Sequence, residues 1–294
     1  MEVFEAQVAG RLVLPWEPIS IMPIGDIQYA GGGRNDPADI DRLRKHVEWG
    51  VEHGCWFLGM GDYIDFARPT VRSKLRALGD DDVTEVLLDR AATDLEEHVL
   101  AVLRPTRDRW LTLVEGHHYF QHLDGTTTGQ RFARELGCRY GGDAAMLRLT
   151  FCQEPDKLRG RMIQTKLFVH HGHGGGSTLA GPLAKYERFA AHCAAQVFFI
   201  GHHHRVMVVP FDQLDVSSRG EPVLFHHTRA IVLTGSFLRG YMQGSAMGGR
   251  ARGSYVERAV LPPVALGAPI VTLAPKERHI AGRRVALVDV RGSV

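Results

Sequence analysis

The chain has 294 residues, of which 44% are hydrophobic and 23% are charged, as in an ordinary globular protein. A formal net charge of +2 gives no support to nucleic acid as a partner. No apolar run approaches the roughly 20 residues of a membrane span, and the N-terminus lacks the basic start and long apolar stretch of a signal peptide. We therefore expect a single domain over residues 1–294 that is cytoplasmic and has no membrane partner.

The first half of the chain alternates strands and helices. Residues 18–25 form an apolar strand, and the helix after it has Asp36 as its expected N-cap, Pro37 as its first residue and Gly54 at its end. The next elements are a strand at 56–60, a helix at about 82–103 and a strand at 110–114. This β-α-β-α-β order predicts right-handed crossovers and a largely parallel sheet.

From about residue 145 strands dominate, and one helix at about 179–192 interrupts them. The expected strands are 145–151, 162–169, 196–200, 206–211, 223–227, 230–235, 270–274 and 284–290. The chain contains no internal repeat and no credible linker. The pattern therefore predicts one α/β domain with two sheets.

Side chains that can bind metal follow five of the predicted strands. The segments are Asp26-Ile27-Gln28, Gly61-Asp62-Tyr63-Ile64-Asp65, Gly116-His117-His118, His171-Gly172-His173 and Gly201-His202-His203-His204. In open α/β sheets, ligands collect beyond the carboxyl ends of the strands. A mixture of Asp, Gln and His suits Mn, Fe or Zn. Glycine beside each ligand lets the backbone turn sharply and approach a metal closely.

Each segment alone also has a structural explanation. A lone GDxxD is usually a turn with a helix cap, and a lone HxH in a strand is more often not a metal pair. Five such segments, each at the end of an apolar strand, are hard to explain by chance, so we interpret them together as a metal site. The pair His226-His227 has no flanking signature and is interpreted as structural.

The five segments resemble the signature of the calcineurin-like metallophosphoesterase superfamily, which is DxH, GDxxD, GNH, a later His before Gly, and GHxH. The resemblance runs from about residue 18 to 205. It implies a four-layer α/β/β/α sandwich of two mixed β-sheets flanked by helices, with two divalent metal ions at the strand ends. It implies that Asp62 bridges both ions. The other implied ligands are Asp26, Gln28 and His204 for one ion, and His117, His171 and His202 for the other.

The resemblance further implies that His118 contacts the substrate and that Asp65 orients it. Two cations about 4 Å apart can clamp the attacking and leaving oxygens of a displacement at phosphorus and turn a bridging water into the attacking hydroxide. A neighbouring imidazole can then protonate the leaving oxygen, while a carboxylate fixes its tautomer. The implied reaction is hydrolysis of a phosphodiester or diphosphate bond in a small phosphorylated, nucleotide-like substrate.

Two positions depart from the signature. Gln28 stands where His is usual, and its amide oxygen is a harder and weaker ligand, which favours Mn, with Fe, Mg or Zn as alternatives. The residues D-I-Q-Y-A at 26–30 are similar to the Mn-dependent ADP-ribose/CDP-alcohol diphosphatase branch. His117 stands where Asn is usual, and it is either a ligand or a hydrogen-bond partner of one. The doubled His also allows the reverse assignment, in which His118 is the ligand and His117 the acid.

Loops that follow directly on the ligand positions must border the cleft. Residues 29–34 and 119–131 are two of them, and the end of the 170–173 cluster is a third. The candidate substrate-binding residues are Arg34, Tyr119, His122 and His173. The alternative is that they are ordinary loop residues.

Three other functions compete with this interpretation. One is a Ser/Thr protein phosphatase, which acts on phosphomonoesters. Such enzymes have the motif GDYVDRG, in which an Arg that grips the phosphate follows the second Asp, whereas Phe66 follows Asp65 here. A DNA nuclease would call for a basic stripe or a capping domain, and neither is evident. A degenerate scaffold that keeps the metals without turnover is supported only by the replacements at Gln28 and His117.

Overall fold

The computed structural model describes residues 11–32, 36–66, 82–174, 178, 180–217, 221–244, 246–247, 250–251, 254–280 and 282–294. Its elements, in chain order, are β1 (Arg11–Pro15), β2 (Ile19–Ile24), α1 (Ile40–Glu52), β3 (Trp56–Gly59), α2 (Asp82–Leu103), β4 (Trp110–Leu113), α3 (Thr128–Glu135), β5 (Ala144–Glu154), β6 (Arg159–His170), α4 (Ala180–Ala190), β7 (Val197–Ile200), β8 (Val206–Val216), β9 (Leu224–Thr234), β10 (Ala246–Met247), β11 (Arg250–Ala251), α5 (Tyr255–Arg258), β12 (Ile270–Ile280) and β13 (Arg283–Ser293). Among these described helices, none has the length and apolar character to cross a membrane.

The larger strands form two mixed sheets. One has the order β1-β5-β6-β7-β9-β8, and the other has the order β13-β12-β2-β3-β4. Within the second sheet, β2, β3 and β4 are parallel neighbours, as the β-α-β-α-β pattern predicts. Strands β6, β7 and β9 are parallel neighbours in the first sheet. The predicted α/β class with two mixed sheets is confirmed.

Three apolar clusters hold the sheets and helices together. Because side chains alternate along a strand, Phe57 of β3 packs on the face covered by α1, α2 and α3, while Leu58 packs on the face toward the other sheet. Likewise Phe199 of β7 packs between the sheets, and Phe198 packs on the outer face against α4. This layering is consistent with a sandwich.

The predicted start of α1 is wrong. The helix begins at Ile40, and its N-cap is Asp39, whose side chain accepts a hydrogen bond from the backbone N–H of Arg42. The carboxylate of Asp36 is engaged elsewhere, because it accepts the backbone N–H groups of Ala30, Gly32 and Ala38. Asp36 therefore folds the loop after β2 back on itself instead of capping the helix.

Two other differences between the predicted and the observed elements concern strand β9 and helix α3. The two strands expected at 223–227 and 230–235 form the single strand β9, which pairs with β8 over its full length. Arg229 lies within it, buried, because its guanidinium donates to backbone carbonyls of Ala190, Cys193 and Ala195. Helix α3 was missed although Thr127 and Gln130 form a capping box at its start.

Candidate metal centre

The loops that follow β2 and β3 are joined by backbone hydrogen bonds beyond the end of the sheet. The N–H of Asp26 donates to the carbonyl of Gly61 at 3.0 Å, and the N–H groups of Ile27 and Gln28 both donate to the carbonyl of Asp62 at 2.9 Å. These hydrogen bonds fix the loops that carry Asp26 and Asp62 relative to one another.

Five of the seven predicted metal ligands have a backbone conformation that non-glycine residues rarely adopt. Eight described non-glycine residues have a positive φ, and five of these are predicted ligands: Asp26 (48°), Gln28 (51°), Asp62 (54°), His202 (68°) and His204 (55°). Such conformations are uncommon and carry a cost, and they cluster at functional sites, where the surrounding structure enforces them. Their concentration here indicates that the backbone is shaped to aim these side chains.

Glycine is required where the loops pass closest to one another. A Cβ on Gly116 would overlap the carboxylate of Asp62, and a Cβ on Gly201 would lie 2.9 Å from the carbonyl of His171 and 3.1 Å from Oδ2 of Asp26. The glycines of the GHH and GHHH segments therefore allow ligand-bearing loops from both sheets to meet.

Two groups of side chains have the spacing of a metal site. The candidate ligand atoms of His117, His171 and His202 all lie within 4.8 Å of one another. The same is true of Asp26, Asp62 and His171. Because His171 belongs to both groups, the two candidate sites are adjacent, and the five residues come from the ends of β2, β3, β4, β6 and β7.

The two carboxylates of this cluster are buried, with Asp26 at 0% and Asp62 at 2% exposure. Oδ2 of Asp26 accepts the backbone N–H of His202 at 2.9 Å, and Oδ1 of Asp62 accepts that of His118 at 2.7 Å. Oδ1 of Asp26 has no hydrogen-bond partner among the described residues, although Nε2 of His204 lies 3.2 Å away. A buried carboxylate oxygen without a hydrogen bond is costly unless a cation completes its surroundings.

His171 has the arrangement of a metal-binding imidazole. Its Nδ1 donates to the carbonyl of Met60 at 2.6 Å, which fixes the tautomer and leaves Nε2 as the ligand nitrogen. Nε2 is buried and lies 3.3 Å from Oδ2 of Asp62, but makes no directed hydrogen bond within the described part of the chain. The candidate ligand atoms of His171 and Asp26 lie within 4.8 Å of one another, and each residue has a buried polar atom without a hydrogen bond within the described ranges, which fits a bound cation.

The electrostatics of the cluster match this interpretation. Burial and the charge of His171 lower the pKa of His117, and the same two causes lower the pKa of His202 to about 4, so both rings are neutral at pH 7. Burial also acts to lower the pKa of His171, but the interaction with Asp62 and the charge of Asp26 outweigh it and raise that pKa to about 9. An imidazolium at His171 thus supplies the positive charge that two buried carboxylates require.

Asp62 is held ionised by the same neighbours. Burial acts to raise its pKa, but His171 and His118 outweigh that effect and keep the pKa well below its usual range. Gln28 lies beside it, with its amide Nε2 3.4 Å from Oδ2 of Asp62. Gln28 is 9% exposed, so its amide lies inside the cluster.

His118 and Asp65 form a hydrogen-bonded pair at the edge of the cluster. Nδ1 of His118 donates to Oδ1 of Asp65 at 2.9 Å, and the side chains are 16% and 35% exposed. Neither residue belongs to either group with metal-site spacing among the described residues. The adjacent His117 instead places Nδ1 3.3 Å from Nδ1 of His202.

The four candidate substrate-binding residues differ in where they lie relative to the candidate metal ligands. His173 is exposed, with its ring centroid 5.5 Å from that of His117, and Tyr119 is half-buried one residue after His118. Arg34 lies outside the described residues. His122 does not join the cluster.

His122 is a correction to the sequence interpretation. Its side chain is fully buried, and its Nδ1 and Nε2 lie 3.0 Å from Asp89 and 2.8 Å from Glu96, both on α2. Arg131 approaches Glu96 at 3.8 Å from the other side. His122 therefore ties the loop after β4 to α2, and no ring nitrogen is left for a substrate.

Glu115 is a residue next to the site that sequence reasoning missed. It is buried and accepts hydrogen bonds from the hydroxyls of Thr127 at 2.5 Å and Tyr140 at 2.9 Å. Burial raises its pKa even though these hydroxyls oppose the shift. Since Thr127 caps α3, Glu115 fixes both ends of the loop that carries His117 and His118. Two features of the sequence could have indicated this role: the capping box at the start of α3, and the acidic residue directly before Gly116.

No protein-family model matches the chain, and the curated proteins contain no significant match to it.

Proposed function

We propose that the protein is a metal-dependent hydrolase of phosphate esters, with a four-layer sandwich fold of the calcineurin-like metallophosphoesterase type. The observation that supports this most directly is the position of His171. It is shared by an all-histidine group and a carboxylate group, and its Nε2, like Oδ1 of Asp26 in the second group, is buried without a hydrogen-bond partner among the described residues.

The donor set fits two divalent ions. His171 belongs to both groups. Asp26 and Asp62 lie on one side of it, with Gln28 beside Asp62 and His204 beside Asp26, and His117 and His202 lie on the other side. Carboxylate, amide and imidazole donors together suit Mn, with Fe, Mg or Zn as alternatives. Such ions, when bound, neutralise the charge of a phosphoryl group and lower the pKa of a bound water.

His118 and Asp65 supply the proton transfer. With Nδ1 engaged by Asp65, Nε2 is the nitrogen that hands a proton to the leaving oxygen. Asp65 holds the ring in orientation and stabilises its protonated form. The partial exposure of both side chains keeps this pair accessible to a substrate that enters from solvent.

The substrate we propose is a small, nucleotide-like molecule with a phosphodiester or diphosphate bond. The experiment is a hydrolysis screen that compares an aryl phosphodiester, a phosphomonoester, cyclic nucleotides and nucleotide diphosphates across Mn, Mg, Fe and Zn. We expect turnover of a diester or diphosphate that requires added metal. Turnover of none of them with any metal, by a folded protein, would overturn the proposal.

A further inference from the structure

Helix α4 is bonded directly to the loops that carry the candidate ligands. The backbone N–H of His173 donates to the hydroxyl oxygen of Tyr186 at 3.3 Å, and that hydroxyl is also hydrogen-bonded to Nε2 of His203 at 3.0 Å. Tyr186 is 5% exposed and its position is fixed by packing in the cluster between α4 and the first sheet. The first turns of α4 are therefore fixed relative to His202 and His204.

Lys185, the residue before Tyr186, places a positive charge beside the loop that carries His171 and His173. Nζ of Lys185 donates to the carbonyl of His173 at 2.8 Å, while the side chain stays exposed. The ring of His173 lies against that of the candidate ligand His117, so Lys185 is bonded to a residue that itself contacts the candidate metal site. An ammonium has three N–H donors, and the bond to His173 uses one and holds the group in position.

We propose that Lys185 is a specificity determinant that binds a second anionic group of the substrate, next to the phosphate that is hydrolysed. This inference rests on the proposed function. The hydrolysed phosphate belongs at the cluster of Asp and His side chains, and the protonated amine of Lys185 has no lone pair with which to bind a metal there. A cation held in position by a backbone carbonyl is pre-organised for a neighbouring phosphate.

The substrate class that fits is a diester of diphosphate. Water adds its oxygen and one proton to the first phosphorus, the bridging P–O bond breaks, and its electron pair leaves with the second phosphate. His118 gives its proton to the leaving oxygen and is re-protonated by the second proton of water, and two phosphomonoesters result. Negative charge builds up on the leaving phosphate as the bridging bond breaks, so an ammonium beside it stabilises the transition state more than the ground state.

The test compares a substrate with two phosphates to one with a single phosphate. kcat/KM of wild type, Lys185→Met and Lys185→Arg is measured with Mn for diadenosine diphosphate and for bis(4-nitrophenyl) phosphate. The control is Arg188→Met, which removes the same charge from an exposed residue one turn further along α4. Lys185 is exposed, so the variants should fold, and thermal unfolding checks this.

We expect Lys185→Met to lower kcat/KM for the diphosphate roughly tenfold or more, as for loss of a charge-assisted hydrogen bond, and to change the aryl diester less than about twofold. Lys185→Arg should recover most of the loss, and Arg188→Met should change neither substrate. An equal effect of Lys185→Met on both substrates, or none, overturns the inference. So does a wild-type protein that hydrolyses the aryl diester but not the diphosphate, a result that leaves the proposed function intact. Hydrolysis of neither substrate overturns both.

Discussion

The imidazole of His171 faces the carboxylate of Asp62, with Nε2 3.3 Å from Oδ2. His171 follows β6 of one sheet, and Asp62 follows β3 of the other, so this contact joins the two sheets at the ends of their strands. Each partner is less than 3% exposed as a residue. The candidate site is therefore complete only when both sheets have packed together, which couples metal binding to the folding of the whole sandwich.

The doubled histidine at 117–118 gives a prediction about metal content. His117 contacts His171 and His202, whereas His118 is bonded to Asp65. His118→Ala should therefore keep full metal stoichiometry while lowering kcat by roughly 10²–10⁴-fold, the usual range for a lost acid–base group. His117→Ala should lose metal. Elemental analysis measures the metal content of both variants. Loss of metal in His118→Ala and retention in His117→Ala would show that the two roles are exchanged.

The loss in His118→Ala should depend on the leaving group. An aryl phosphate needs little protonation as it leaves, so its kcat should fall less than that of an alkyl phosphodiester. Asp65→Asn should produce a milder version of the same pattern, and the double variant should be far from additive because the two residues act as a unit. Equal losses for both leaving groups would contradict the assignment of His118 as the acid.

Gln28 should tune the choice of metal. Its amide Nε2 lies 3.4 Å from Oδ2 of Asp62, and we propose that its amide oxygen binds one of the two ions that Asp62 binds. Gln28→His replaces a hard oxygen donor by an imidazole, so the preference should shift from Mn toward Zn. Activity measured against added Mn and Zn, together with bound metal, tests this. An unchanged metal profile would mean that Gln28 does not reach the metal.

His122 should be important for stability rather than for chemistry. Its buried ring lies between Asp89 and Glu96, so His122→Ala leaves carboxylates of α2 without their partner. We expect a loss of about 1–3 kcal/mol in the free energy of unfolding, as for a buried acceptor that loses its hydrogen-bond donor. His226→Ala, at a side chain that is 63% exposed, is the control and should cost less than about 0.5 kcal/mol. A large loss of activity without a loss of stability would contradict this structural role and indicate that His122 binds the substrate.

Metal binding should depend on pH through His171. In the metal-free protein its pKa is raised to about 9, above the usual 6.5 or so, so its charge stabilises the fold fully below about pH 6.5 and progressively less as pH rises through 9. A metal needs the neutral ring and must displace this proton. Mn affinity, measured by titration between pH 6.5 and 9.5 (roughly the span of the two pKa values), should rise and then level off. A pH-independent affinity would contradict the role of His171 as a ligand.

The sequence predicts the parts of the fold that follow from local pattern. The parallel order of β2, β3 and β4 places Asp26, Asp62 and His117 at one edge, and the structure brings them together with His171 and His202. The sequence does not predict contacts made by distant parts of the chain: His122 is bound by Glu96 of α2, away from the cluster. It also leaves open which of two local hydrogen-bonding patterns an Asp adopts: Asp36 accepts backbone amides of its own loop instead of capping α1.

We propose a dinuclear metal site that hydrolyses phosphate esters. The most direct test removes metal with a chelator and follows hydrolysis of an aryl phosphodiester as Mn is added back in measured equivalents. We predict no activity without metal and a rise that saturates at two ions per chain. Asp62→Asn, which lacks the carboxylate that we propose binds both ions, should stay inactive, whereas Asp289→Asn, at an ion pair with Lys276 of β12, should behave like wild type. Turnover that is independent of metal, or two tightly bound ions without turnover, would contradict the proposed dinuclear site.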